Sequence, residues 1–327
     1  MATDKPIIAI ATGDPAGIGP EISLKAALDP MVRATCRPIL VSDAAILRRH
    51  AEACGIPVDL HEVSRVEDAG EAGYQIAVLH RPQKEPIALG KTGVAAGRAS
   101  IAFCSAAVKA ALSGEVDAVV AAPQNETSIA LAGIAFDGHP SFVARETGTP
   151  EGDVFMMLCF GSTRISHATL HQSVRKALEA ITRERIGRVI RETARTLQRI
   201  GIATPRLAVS GVNPHAGEGG LFGREEIEII NPAIDAAVAE GLAVAGPFGA
   251  DTMFHMQGFD AFVVMLHDQG HIAAKLLAQN AAAALTIGTP ILFSSVAHGS
   301  AHDIAGKGVA DPKAMIEAVL RMAGARR

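Results

Sequence analysis

The chain has 327 residues, 49% of them apolar and 20% charged, with a net charge of −4. That length suits about two domains, and the acidic balance offers nucleic acid no basic face. One tyrosine and no tryptophan leave little on which to stack bases, and no uninterrupted apolar run approaches the roughly 18 residues of a membrane span.

The opening stretch MATDKPIIAIATGD lacks an apolar segment long enough for a signal peptide. The four cysteines (Cys36, Cys54, Cys104, Cys159) are scattered and show no CxxC spacing, which suits free thiols in a cytoplasmic protein. In chain order, the predicted strands are PIIAIAT (6–12), RPILVSD (37–43), VDAVVAA (116–122), DVFMMLCF (153–160), RLAVSG (206–211) and DAFVVML (260–266). Each is apolar throughout rather than alternating, as expected of strands covered on both faces. Between them lie helical patterns. In 182–201, Ile186, Val189, Ile190, Leu197 and Ile200 fall on one face, and Gly201 is placed to end the helix. Residues 225–241 give a second helix that Pro232 is expected to kink. The alternation predicts an α/β fold with mainly parallel sheets. No internal repeat, low-complexity tract or obvious linker is present.

The first strand runs into GDPAGIGPE (13–21). Its G-x-x-x-G-x-G order is not the dinucleotide fingerprint G-x-G-x-x-G. Glycines there permit close approach to a ligand; a tight strand-to-helix turn with Pro20 in the first helical turn explains them equally well. GKT (90–92) is not a P-loop, because Glu85 stands where that motif needs glycine. Three histidines follow predicted strands: His171 in ISHATLHQS, His215 in NPHAGEGG and His267 in MLHDQGH. Ligands of open α/β sheets gather beyond strand carboxyl ends, so the three form a candidate divalent-metal centre with open positions. Spacing also permits the i, i+4 pairs His167/His171 and His267/His271 and does not choose between them. Asp251 and Asp268 are candidate oxygen ligands or imidazole partners. Lys275, eight residues past His267, is a candidate for proton transfer.

GDPAGIGPE, GHP (138–140), TLH (169–171), NPHAGEGG (213–220), HDQG (267–270) and HGSAHDIAGKG (298–308) together resemble the 4-hydroxythreonine-4-phosphate dehydrogenase family, in the same order over nearly the whole chain. HGSAHDIAGKGVADP also resembles the nicotinamide-cofactor loop of isocitrate and isopropylmalate dehydrogenases. The resemblance implies their fold: two α/β domains, a cleft between them and a homodimer with active sites at the interface. The domains are expected at about 1–130 plus 300–327 (cofactor side) and 131–299 (metal, substrate and dimerisation). It implies metal ligands at His171, His215 and His267, substrate contacts at His139 and Lys275, and a dinucleotide site at His298, Gly299, Ala301, Asp303 and Gly306. Gly13, Asp14 and Gly17 join the cofactor side through the glycine corner. The implied cofactors are NAD, with NADP as the alternative, and one divalent metal (Zn, Mg, Mn or Co).

Departures from the family pattern bear on substrate. Pro140 stands in place of a threonine and Glu126 in place of a lysine. Ala284 replaces a substrate-binding asparagine, and Phe293 replaces the arginine near the phosphate. Phenylalanine cannot act as an arginine fork on phosphate. PxxETxIxxAGIAF, MLHDQGHIxxKLL and HGSAxDIAG resemble instead the terephthalate cis-dihydrodiol dehydrogenase branch, whose substrate is a cyclohexadiene diol bearing two carboxylates. Phe293 is then expected to wall a carbocycle and His271 to meet a carboxylate. Oxidation of a hydroxyl β to a carboxylate gives a β-keto acid that loses carbon dioxide. Binding of nucleic acid or membrane is not expected.

Overall fold

The computed structural model describes residues 5–70, 76–278 and 283–324. Its contacts divide the chain into two compact units, Met1–Thr149 with Thr289–Arg327, and Pro150–Gly288. In the first unit the strands lie in the order β3 (Leu60–Val63), β4 (Ile76–His80), β2 (Arg37–Ser42), β1 (Ile7–Ala11), β5 (Ala118–Ala121), β12 (Phe293–Val296), every neighbouring pair parallel. Ala9 of β1 is paired with Ile39 on one side and Val119 on the other. Ile8, Ala9 and Ile10 are buried, as apolar strands covered on both faces should be.

Among the described residues one helix, Val94–Leu112, is long and apolar enough to cross a membrane. It packs on β1, β2 and β5. Phe103, Cys104 and Val108 are buried in a core with Ile39, Val41 and Val119, while Arg98 and Lys109 face outward. It is a core helix of this unit.

In the second unit the order is β11 (Ala283–Ile287), β6 (Phe155–Phe160), β7 (Thr163–His167), β10 (Ala261–Val264), β8 (Arg206–Ser210), β9 (Ala243–Phe248). β6 is antiparallel to β11 and β7, and the remaining pairs are parallel. The helix Arg183–Arg199 starts on Thr182, whose hydroxyl accepts from the Arg185 amide at 3.2 Å, a side-chain cap for an orphan donor. It buries Ile186, Val189, Ile190 and Leu197 and gives way to Gly201 at φ 100°. The second predicted helix begins as a π-helical turn, Glu226–Ile230, and continues as the α-helix Asn231–Ala239. Pro232 sits in the first turn of that α-helix, where its missing N–H costs least, and the expected kink takes the form of a change in winding. The helix His139–Thr147 and β12, placed by sequence with the second domain, fall in the first unit: Phe293 of β12 pairs with Val119 of β5, and Phe142 and Val143 of the helix pack in the core that holds Phe103.

Candidate functional site

β7, β10 and β8 are parallel neighbours, so their carboxyl ends lie along one edge of the second unit. His171, His267 and His215 stand in the segments that follow these three strands. Short bonds join the loops. Thr169 Oγ1 donates to the Met265 carbonyl at 2.7 Å. Gln269 Oε1 accepts from the amides of Met265 and Leu266 at 2.9 Å, and its Nε2 donates to the Gly211 carbonyl at 3.1 Å.

The His171 and His267 rings lie close, tilted by 51° with centroids 5.5 Å apart. His267 Nδ1 lies 2.7 Å from Asp268 Oδ1. A carboxylate only accepts, so Nδ1 carries a proton, and the neutral ring with that proton has its lone pair on Nε2, the tautomer a metal ligand needs. His215 is exposed on a left-handed run: φ is 52° at His215, 51° at Ala216 and 43° at Glu218, positions that disfavour side chains other than glycine. Glu226, buried in the π-helical turn, holds this run. Its Oε1 accepts from the amides of Val212 and Asn213 at 2.8 Å, and its Oε2 accepts from Asn213 Nδ2 at 2.9 Å. A π-turn at such a position is a recurring device of functional sites.

Among the described residues no three His, Cys, Asp or Glu side chains come close enough to hold a metal ion. The structure gathers His171 and His267 and places His215 on the loop after the adjacent strand. The imidazole set suits a divalent cation chemically, with Nε2 of His267 ready to bind. Asp251 is exposed in the turn after β9, and Lys275 is exposed two turns beyond His267 on the helix His267–Ala278.

Of the two alternative pairs, His267 and His271 share a helix face and stack at 3.7 Å and 10°. His167 ends β7, so it shares no helix with His171; its ring lies 4.7 Å from His271. Its Nδ1 is bonded to the Met156 carbonyl at 3.3 Å, and its buried Nε2 points at Gly270, where any side chain would collide. Burial, then the neighbouring imidazoles, lower the His271 pKa to about 4. His271 Nδ1 donates to the His267 carbonyl at 3.1 Å, so neutral His271 offers Nε2 as an acceptor. That suits a hydroxyl donor rather than the carboxylate expected from the sequence.

In the first unit the glycine corner meets the 298–308 loop. Gly13, Asp14 and Gly17 are all buried. A Cβ at Gly13 would strike the Pro123 carbonyl, one at Gly17 the Ser300 carbonyl and one at Gly19 the Thr12 carbonyl. At these three glycines backbone packs directly on backbone, which leaves no room for a Cβ. Asp14 Oδ2 is 2.5 Å from His302 Nε2. Gly299 has open space around its Cα, and Asp303 is exposed. His298 Nδ1 bonds the Gly299 carbonyl at 3.2 Å. Ala301 and Gly306 have φ of 41° and 74°. An exposed carboxylate on a fixed turn suits ribose hydroxyls, so this loop fits a dinucleotide.

His139 and Phe293 are in contact, with ring centroids 5.4 Å apart, and Phe136 meets His139 edge-on at 5.6 Å. Phe293 is 1% exposed, so its ring backs the imidazole and belongs to the core. His139 Nε2 is buried without a partner, and burial lowers the His139 pKa to about 4. Glu126 is exposed at the first turn of the helix Glu126–Leu131, and Ala284 lies in β11. Sequence reasoning missed Glu226, Gln269, Asn125 and His302, whose bonds to Val212 and Asn213, to Gly211, to Ser300 and to Asp14 join residues far apart in the chain.

A model of the family described as pyridoxal phosphate biosynthetic protein PdxA matches residues 34–323. A 1,2-dihydroxy-3,5-cyclohexadiene-1,4-dicarboxylate dehydrogenase of Comamonas sp. is 42% identical over 95% of each chain. A D-threonate 4-phosphate dehydrogenase of Cupriavidus necator is 40% identical over 98% of this chain and 97% of its own. The crystal structure of a 4-hydroxythreonine-4-phosphate dehydrogenase from Burkholderia phymatum superposes with a TM-score of 0.89 at 37% identity, covering 99% of both chains.

Proposed function

The chain belongs to the PdxA family and is a dehydrogenase acting on a CH–OH group; from that premise we propose that it oxidises, with NAD, a hydroxyl β to a carboxylate in a cyclohexadiene diol dicarboxylate of the terephthalate type, with decarboxylation. The observation that carries the substrate class is Phe293. It stands where the resemblance implies an arginine beside phosphate, and its ring is buried against His139. Phenylalanine offers no guanidinium fork to an esterified phosphate at that position, and its ring, 1% exposed, acts from behind His139 rather than as the wall of a carbocycle expected from the sequence. The 42% identity to the Comamonas dehydrogenase supports the same reading.

In this reading His171, His215 and His267 would hold a divalent cation, which would supply Lewis acidity, and the 298–308 loop would hold NAD, which would supply the hydride acceptor. Asp268 fixes the His267 tautomer. Lys275 takes the hydroxyl proton, and His139 orients the substrate. Neutral His271 accepts a hydrogen bond from the diol. The two units are those of isocitrate and isopropylmalate dehydrogenases, and the active form is a cytoplasmic homodimer.

The test is NADH formation at 340 nm with the dihydrodiol dicarboxylate and with the two phosphorylated hydroxy acids, each with and without chelator. Turnover confined to the diol and abolished by chelation is expected. Faster turnover of D-threonate 4-phosphate or 4-hydroxythreonine 4-phosphate would assign the chain to the phosphate-ester side of its family.

A further inference from the structure

We propose that His302 is a positioning residue that, through Asp14, holds the 298–308 loop in the shape that receives the dinucleotide. The inference rests on the reading that this loop takes NAD. It starts from Ala301, a non-glycine residue in the left-handed region that persists only where its surroundings over-determine it.

Both neighbours of Ala301 are pinned. On one side the Ser300 carbonyl accepts from the Ile18 amide at 2.9 Å, and Ser300 Oγ accepts from Asn125 Nδ2 at 3.3 Å. Asn125 is itself fixed as a helix cap, its Oδ1 accepting from the Ser128 amide at 2.8 Å. On the other side His302 Nε2 meets Asp14 Oδ2 at 2.5 Å. The Asp14 side chain is fully buried, and its second oxygen accepts from the Ala16 amide at 2.9 Å, so the carboxylate is an immobile anchor. The His302 carbonyl lies over Gly90, whose amide donates to the Ala16 carbonyl at 2.8 Å. The loop is thereby tied to the segments after β1 and β5, two adjacent parallel strands. Asp303, one residue on, is left exposed.

Without the His302 anchor, Ala301 is free to relax to negative φ, and the orientation of Asp303 goes with it. A loop that is competent for only part of the time binds with its affinity reduced by that fraction.

The experiment compares the full-length wild type with His302→Ala and His302→Gln, whose amide reaches as far as Nε2. It reads the NAD dissociation constant by calorimetry and amide hydrogen exchange across 298–308 in the NAD-free protein. His302→Ala is expected to weaken NAD about tenfold and to speed loop exchange, with kcat at saturating NAD little changed; His302→Gln is expected to restore both. Should His302→Ala not fold, His302→Asn, too short to reach Asp14, takes its place. Wild-type affinity and exchange in His302→Ala would overturn the proposal. So would weakened binding with unchanged exchange and no recovery in His302→Gln, which would make His302 a direct ligand contact. If the wild type binds no NAD, the cofactor reading fails, and the exchange measurement still decides whether His302 pins the loop.

Discussion

His139 packs against the rings of Phe136 and Phe293, and burial holds its pKa at about 4 against an ordinary 6.5. The folded chain therefore refuses a proton that the unfolded chain binds at any pH between those values. Stability from this site is complete above the unfolded pKa and falls as the pH drops from about 6.5 towards 4. His167, lowered by burial and then by His271 to about 3, adds a second loss in the same direction. At pH 5 the deficit from His139 alone is about 2 kcal/mol relative to pH 7.5. His139→Leu has no such proton to refuse. Urea unfolding at the two pH values is expected to show the variant losing about 2 kcal/mol less than the wild type on acidification. Equal losses would mean that His139 titrates normally.

The segment 211–226 shows how one element places a side chain. Glu226 dictates one of its glycines and helps dictate another: a Cβ at Gly217 would sit 2.6 Å from Oε2, and one at Gly211 would sit 2.7 Å from the Ala216 Cα and 2.9 Å from Oε1. Gly217 also has φ of 78°. Gly217→Ala is expected to cost about 1–3 kcal/mol by thermal or urea unfolding and to lower turnover by displacing His215, whereas Gly219→Ala, with open space at its Cα, pays only the backbone term. Similar losses in the two variants would remove Glu226 as the organiser. The six apolar strands and the face of the 183–199 helix were legible because burial on both sides, or on one stripe, writes itself into local sequence. Other strands were not. TRISH of β7 alternates, AALTI of β11 has a helical composition and AVAGPF of β9 carries Gly-Pro. The loops of His215 and His267 were legible because each trails a predicted strand, whereas His171 trails β7, which lies between it and the predicted strand 153–160. Their supports were not, since Glu226 bonds residues 13 and 14 positions away and His302 reaches back 288 to Asp14. The glycine corner was legible only as a tight turn or a close approach to a ligand, and the Ser300 carbonyl that packs on Gly17 is visible only in the fold.

At the scale of the whole molecule, the second unit carries large apolar side chains in water. Leu221 and Phe222, at the end of the His215 loop, are 72% and 49% exposed. Ile272 and Leu276, four apart on the helix that begins at His267, are 58% and 76% exposed. Single exposed apolar residues are ordinary; two pairs on the segments that bear the candidate metal ligands suit a covered surface. Within the proposed function the cover is a second copy of the chain. Lys275, the neighbour of Leu276, is exposed in the single chain, and a partner seated on Leu276 would take it out of bulk water, where a proton-transfer lysine works best. Sedimentation is therefore expected to give twice the 33.8 kDa chain mass. An Ile272→Asp, Leu276→Asp double variant is expected to run as a folded monomer with turnover reduced about a hundredfold or more, the scale of losing a positioned proton-transfer group. A wild type that sediments as a monomer while fully active would strike the second copy from the mechanism and leave Lys275 working in open solvent.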